Sequence, residues 1–89
     1  MITDADKNTI CEISKKYCVK RVILFGSSLD SKKESRDIDI GVEGVSAKDF
    51  YSYYGDLIFS LSKSVDVVDI TGNSKFIKLI LKQGVSLYG

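Results

Sequence analysis

The spacing of apolar residues along the chain predicts three helices and three strands. Three segments repeat apolar side chains at helical intervals, and each follows a residue type that caps helices, at Thr3, Ser46 and the TGNS segment 71–74. Three other runs are rich in β-forming residues and predict strands, namely RVILF at 21–25, DIDIGV at 37–42 and VDVVDI at 65–70. The order α-β-(short α or turn)-β-α-β-α favours an α/β fold of the α+β type, in which helices cover a small mixed three-stranded sheet.

The apolar stripe of each helix predicts its buried face. The expected core residues are Ile10, Ile13 and Tyr17 in the first helix, Phe50, Tyr54, Leu57, Ile58 and Leu61 in the second, and Phe76, Ile77, Ile80 and Leu81 in the third. Tyr51 and Tyr53 lie off the second stripe, so they are either packed locally or exposed to a partner. Gly84 is expected to stop the third helix from the C′ position, and the VSLYG segment after it is assigned to no element.

Composition and charge narrow the possible functions. The 89 residues suffice for one domain, 1–89, and 13 basic against 12 acidic residues give no basic surface for duplex nucleic acid. No apolar run approaches the ~20 residues of a membrane helix, and the polar start is not a secretory signal, so we expect a cytoplasmic protein. The chain has no histidine, which excludes a Ser-His-Asp triad, and its two cysteines match no zinc pattern. Any chemistry must therefore use carboxylates, hydroxyls, lysines or a bound metal.

Two aspartates interrupt the second predicted strand. Asp37 and Asp39 are two positions apart, so they share one face of the strand while the neighbouring isoleucines share the other. Adjacent carboxylates repel each other, and a divalent cation such as Mg²⁺ would relieve the repulsion. The alternative is a pair of solvated charges at a strand end. The third strand offers Asp66 or Asp69 as a further ligand, on opposite faces, and we favour Asp66 because it lies at the start of the strand.

The first predicted strand ends in a glycine-serine turn. Gly26 lets backbone approach a ligand closely, and the hydroxyls of Ser27 and Ser28, with the N–H groups of a following helical turn, would favour a phosphate. An ordinary turn is the alternative for these serines. Together with the aspartates, the turn predicts a cradle for a phosphate and a metal ion.

The combination LFGSS…RDIDIGV…VDVVD resembles the minimal nucleotidyltransferases, the small branch of the DNA polymerase β-like superfamily. Their signature is a hydrophobic strand, Gly-Ser, a short spacer, Asp-x-Asp on a second strand and a third Asp on a later strand. The resemblance implies the nucleotidyltransferase fold and the Mg²⁺-dependent transfer of AMP from ATP to a hydroxyl. It implies that Gly26 and Ser27 bind phosphate, that Asp37 and Asp39 hold two metal ions, and that Asp66 is a metal ligand or a base.

Short members of this family resemble antitoxins whose partner is an all-helical HEPN ribonuclease. The resemblance therefore implies a HEPN-type toxin as partner and a hydroxyl of that toxin, such as a tyrosine, as acceptor. The sequence departs from the family pattern at Leu29, Asp30 and Ser31, which replace a small residue, Arg and Gly, and at Arg36, where Ser is usual. An acid in place of a base at Asp30 disfavours a triphosphate. The alternative function is a catalytically weak or inactive module that neutralises its partner by binding alone.

Overall fold

A computed structural model describes residues 2–26 and 37–89 of the chain. The elements in these ranges are α1 (Asp4–Lys16), β1 (Arg21–Phe25), β2 (Asp37–Glu43), α2 (Ala47–Ser60), β3 (Ser64–Asp69), α3 (Lys75–Gln83) and β4 (Val85–Tyr88). The α/β class is confirmed, whereas the strand count was wrong because the VSLYG segment adds β4. The short helix or turn expected after β1 lies outside the described residues.

The four strands form one mixed sheet in the order β3-β2-β1-β4. β1 pairs antiparallel with both β2 and β4, while β2 and β3 are parallel and are joined by the crossover helix α2. A parallel pair needs such a long connection because the chain must return to the same end of the sheet. β1, the first strand in the sequence, is therefore internal to the sheet.

Helices cover both faces of the sheet, and strand alternation decides which side chain meets which helix. Val22, Leu24, Ile38 and Ile40 pack with α1 and α2 in the larger core cluster. On the other face, α3 places Ile80 against Ile23 and Ile70, with Phe25, Val68 and Ile77 around them. Because side chains alternate along a strand, Asp37 and Asp39 of β2 point toward the α3 face.

The predicted caps of all three helices are present. A cap hydroxyl accepts a backbone N–H at each start: Thr3 Oγ1 from Asp6 (3.1 Å), Ser46 Oγ from Asp49 (3.2 Å) and Ser74 Oγ from Ile77 (3.2 Å). The Asp6 carboxylate is buried and accepts both the N–H (3.1 Å) and the hydroxyl (2.5 Å) of Ser62. One short side chain thereby ties the start of α1 to the segment that follows α2.

The α1 helix ends in a Schellman motif built on a cysteine. Cys18 has φ +57°, the left-handed conformation that glycine usually supplies. Its N–H donates to the Lys15 carbonyl (3.2 Å), and the Val19 N–H donates to the Ser14 carbonyl (2.9 Å). The motif turns the chain sharply, so that the buried Val19 leads directly into β1.

Gly84 ends α3 for a reason other than the predicted one. Its φ is −75°, so it is not the left-handed C′ residue that we expected. A Cβ at Gly84 would instead overlap the side chain of Ile23 and lie 2.9 Å from the Leu24 carbonyl oxygen. The glycine therefore allows the chain to pass close over β1 and enter β4.

The buried face of α2 includes Tyr53, contrary to the prediction that this residue lies off the core stripe. Tyr53 is fully buried, and its hydroxyl shares a hydrogen bond of 2.8 Å with the Ser14 hydroxyl. Burial raises the pKa of the Tyr53 phenol to about 12. Ile58, predicted in the core, is exposed instead, and Tyr51 is exposed as the prediction allowed. No helix in residues 2–26 and 37–89 is both long and apolar enough to cross a membrane.

Candidate active site

The three predicted aspartates lie on two adjacent strands of the sheet. Asp37 and Asp39 occupy the first and third positions of β2. In the strand register, Asp39 lies opposite Phe25 of β1 on one side and opposite Asp66 of β3 on the other. Register partners on neighbouring strands are about 5 Å apart and point to the same face. The fold therefore brings Asp39 and Asp66 together, with Asp37 one pleat away on the same face.

The register also separates the two candidates for a third carboxylate. Asp69 lies opposite Val42 and has the same strand parity as Val65 and Val67, which pack into the α1/α2 cluster. Its Oδ1 accepts the N–H of Thr71 (2.8 Å), so the carboxylate closes a local turn. Asp66 shares the α3 side with Val68. The geometry thus groups Asp66, and not Asp69, with the two aspartates of β2.

Gly26 lies directly beside the Asp39 carboxylate. Its φ of +69° is in the region that only glycine adopts without strain. A Cβ at this position would lie 2.8 Å from Asp39 Oδ2, closer than ordinary van der Waals contact. The absence of a Cβ therefore makes room for the Asp39 carboxylate, while the approach of the Gly26 backbone to a ligand stays a prediction. Ser27 and Ser28 lie outside the described residues, as do Asp30, Ser31 and Arg36.

The site is open to solvent and is not a closed metal cage. Asp37 and Asp66 are exposed and Asp39 is half-buried. Within residues 2–26 and 37–89, no three acidic or cysteine side chains form a group that could hold a metal ion on their own. Mg²⁺ usually takes one or two carboxylates and completes its octahedron with water and phosphate oxygens. The adjacent carboxylates of Asp39 and Asp66 therefore fit a metal ion that is shared with a phosphate ligand.

A cavity of about 310 Å³ opens next to Gly26, and no single segment of the sequence predicts it. It is lined by Phe25, Gly26, Phe76, Leu79, Ile80 and Gln83. Phe76 and Ile80, like Leu79 and Gln83, are four residues apart, a spacing that places each pair on one side of α3. That spacing is the only sequence signal for the cavity, because the facing wall comes from β1, about fifty positions earlier in the sequence.

The sequence of the chain matches a known protein family. The sequence model of the family described as "Polymerase beta, Nucleotidyltransferase" matches residues 8–89. No curated protein is significantly similar to the chain in sequence. The matched range contains Gly26 and the three grouped aspartates.

Solved structures share the fold. A toxin-antitoxin complex crystallised with AMP-PNP contains a chain of 24% identity and TM-score 0.74, and the match covers 93% of this chain and 73% of that one. A Shewanella oneidensis complex, a tri-AMPylated HEPN toxin with its MNT antitoxin, gives 24% identity and TM-score 0.70 over 94% and 70% of the two chains. A protein described as a minimal nucleotidyltransferase gives 23% identity and TM-score 0.73 over 91% and 88%.

The resemblance inferred from the Gly-Ser turn and the aspartates is thus confirmed, and so is the nucleotidyltransferase fold. The family match starts within α1 and runs through the whole sheet to β4. Since it covers nearly all of the sequence, this protein belongs to the polymerase β nucleotidyltransferase family.

Proposed function

We propose that this chain transfers AMP from ATP to a hydroxyl of a partner protein, as the antitoxin of a HEPN-type toxin. The observation that carries the proposal is the pairing of Asp39 with Asp66 beside Gly26, in a chain of nucleotidyltransferase family. Two structural neighbours support the choice of substrate and partner, since one was crystallised with AMP-PNP and another contains an AMPylated HEPN toxin. The proposal takes residues 1–89 as one domain that acts in the cytoplasm.

The side chains of the site divide into metal-binding and phosphate-binding groups. Asp37 and Asp39 would hold Mg²⁺, with two ions expected from the family resemblance, and Asp66 would serve as a further ligand or as the base. When bound, the metal would neutralise charge on the triphosphate and on the leaving pyrophosphate. Gly26 leaves the Asp39 carboxylate uncovered by any side chain of its own, so phosphate oxygens can approach. Ser27 and Ser28 are proposed to donate hydrogen bonds to those oxygens.

The transfer exchanges one bond at the α-phosphorus for another. The acceptor oxygen forms a bond to the α-phosphorus, and the bond from that phosphorus to the bridging oxygen breaks, so pyrophosphate leaves with the electron pair. The proton of the acceptor hydroxyl passes to a carboxylate or to water. Asp66 is suited to this role because it is exposed and lies beside Asp39, and the chain offers no histidine as an alternative base.

The exposed face of α2 supports a second candidate function, neutralisation of a partner by binding alone. Tyr51, Ile58 and Phe59 are 84%, 56% and 92% exposed on this helix. Exposed aromatic side chains are favoured anchors in protein interfaces. Such a face would serve an enzyme that docks its acceptor, and it would equally serve a module that only binds.

Intact-mass spectrometry of a co-expressed partner separates the two functions. The chain is expressed with the product of the gene beside its own, the candidate partner, and the mass of that protein is measured. We expect an added AMP with the native chain, and none with the Asp37→Asn/Asp39→Asn double variant or with Asp66→Asn. Asp69→Asn is the matched control, because that carboxylate belongs to the other face, and it should retain transfer.

Circular dichroism of each variant checks that loss of transfer is not loss of folding. A partner that is neutralised at unchanged mass, by the native chain and the double variant alike, would overturn the enzyme proposal. The binding function would then stand. Loss of transfer with Asp69→Asn but not with Asp66→Asn would overturn the choice of the third carboxylate.

A further inference from the structure

The cavity beside Gly26 has the composition of a ligand pocket. Its volume of about 310 Å³ is at the lower end of the range for small-molecule sites. Two aromatic rings form part of its wall, since Phe25 and Phe76 meet edge to face with centroids 6.2 Å apart. Among the lining residues within 2–26 and 37–89, Gln83 has the only polar side chain. An apolar slot with a single amide suits a flat heteroaromatic ring.

The position of the cavity connects it to the candidate active site. Gly26 lines the cavity and also lies against the Asp39 carboxylate. A molecule whose phosphates are held at the aspartates can therefore extend past Gly26 into the cavity. An apolar side chain of a partner protein has no comparable anchor at the aspartates, so the position of the cavity favours a nucleotide over such a side chain.

We propose that this cavity binds the base of the nucleotide and that Gln83 selects adenine. This inference rests on the proposed function, because the site must bind a nucleotide. It adds the position of the base and the residue that distinguishes adenine from guanine. Phe76 and Leu79, which are 54% and 48% exposed, would be covered by the stacked base. The Gln83 side chain lines the cavity and is exposed, so a ligand can reach its amide.

The chemistry of the amide gives the selectivity. A glutamine side chain offers one acceptor and one donor side by side, and adenine presents the complementary donor at N6 and acceptor at N7. Guanine presents acceptors at both O6 and N7, so it can satisfy only half of the amide. Since Gln83 is exposed to water, we expect a preference for ATP over GTP of roughly tenfold, at the low end for such a pair.

A fluorescence titration tests where the base lies. The chain contains no tryptophan, so Phe76→Trp introduces a single reporter in the cavity wall. Phe59→Trp is the matched control, on the exposed surface of α2 across the sheet. We expect Mg²⁺-ATP to quench the tryptophan at 76 and tripolyphosphate, which has phosphates but no base, to leave it unchanged. Calorimetric binding of ATP without quenching at 76, or with equal quenching at 59, would overturn the proposal.

A second experiment tests the role of Gln83. ATP and GTP affinities are measured by calorimetry for the native chain, for Gln83→Leu, and for Lys78→Leu, a polar-to-leucine change on α3 outside the cavity. We expect Gln83→Leu to abolish the preference for ATP and Lys78→Leu to retain it. Unchanged discrimination in Gln83→Leu would overturn the base assignment while leaving AMP transfer, measured by partner mass, unaffected. Failure of both nucleotides to bind the native chain would overturn this inference together with the proposed function.

Discussion

Replacing Gly26 by alanine should damage the nucleotide site much more than it damages the fold. The added Cβ would lie 2.8 Å from Asp39 Oδ2, where ordinary contact begins at 3.4 Å, so the carboxylate must shift by several tenths of an ångström. Since a misplacement of about 1 Å at a reacting group can reduce the rate by ~100-fold, we expect nucleotide affinity and transfer to fall by roughly tenfold.

The effect of Gly26→Ala on the free energy of unfolding follows from the backbone. At φ +69°, an L-residue is disfavoured by about 1–2 kcal/mol. The smaller entropy of the unfolded alanine chain offsets about 0.4–1 kcal/mol of this. A net loss of about 1 kcal/mol lowers the Tm of a chain of this size by roughly 4–8 °C. The protein should therefore remain folded at room temperature.

Thermal unfolding with and without Mg²⁺-ATP measures both effects. A ligand at a hundredfold excess over its Kd raises the free energy of unfolding by about 2.7 kcal/mol. If the site binds tenfold more weakly, this stabilisation falls to about half. Gly72→Ala is the matched control, because Gly72 also has a positive φ (+126°) but its Cβ would meet only Ile77, at 3.7 Å. It should lose intrinsic stability and keep the full response to Mg²⁺-ATP. An undiminished response in Gly26→Ala would show that the site tolerates the added Cβ and that the close contact with Asp39 is not needed for nucleotide binding.

Three further predictions concern the fold. Tyr53→Phe should lower the free energy of unfolding by about 1–3 kcal/mol at neutral pH, because it leaves the buried Ser14 hydroxyl without its partner. Burial raises the Tyr53 pKa from 10.0 to about 12, so the stability conferred by the neutral phenol is complete below pH 10 and is lost as the pH rises toward 12. Urea unfolding should show the difference between native chain and variant shrinking across that window, and a constant difference would contradict the assignment. Asp6→Ala removes the acceptor of both Ser62 hydrogen bonds and should lower the same free energy by about 2–3 kcal/mol; a variant as stable as the native chain in urea would show that this link contributes little. Cys18→Gly should raise the free energy of unfolding by about 0.5–1 kcal/mol, because the relief of left-handed backbone strain exceeds the entropic cost of ordering a glycine on folding. A lower urea midpoint would contradict this.

The local sequence pattern predicts an element correctly where burial on one or both faces produces an unbroken apolar run or a regular apolar spacing. β1 begins and ends at the predicted residues because both of its faces are covered, which makes the run apolar throughout. β4 has only four residues, of which Val85 and Ser86 are exposed, so it has no usable alternation. Its existence depends on pairing with β1, a partner distant in sequence.

The positions of Tyr53 in the core and of Asp66 in the site both depend on contacts between elements that are distant in sequence, and the local pattern does not contain those contacts. Both Tyr53 and Tyr54 lie at helical spacing from the core residues of α2, and Ser14 of another helix supplies the hydrogen bond that allows Tyr53 to be buried. Strand alternation placed Asp37 and Asp39 together correctly. Only the parallel register of β2 and β3 joins Asp66 to them, and a register between strands that are far apart in sequence has no local signature.

The position of β1 inside the sheet has a consequence for how the protein is made and degraded. One neighbour of β1 is β4, and its partner residues Val22 and Tyr88 are more than sixty positions apart. Contacts of such high sequence separation require costly loop closure, and β4 follows the other described elements in the chain, so the edge of β1 stays uncovered until that segment has been made. Cys11 holds that strand through a hydrogen bond from its thiol to the Leu87 carbonyl (3.1 Å). A nascent or clipped chain without β4 would expose the edge of the strand that leads into Gly26, and such open edges promote aggregation and proteolysis.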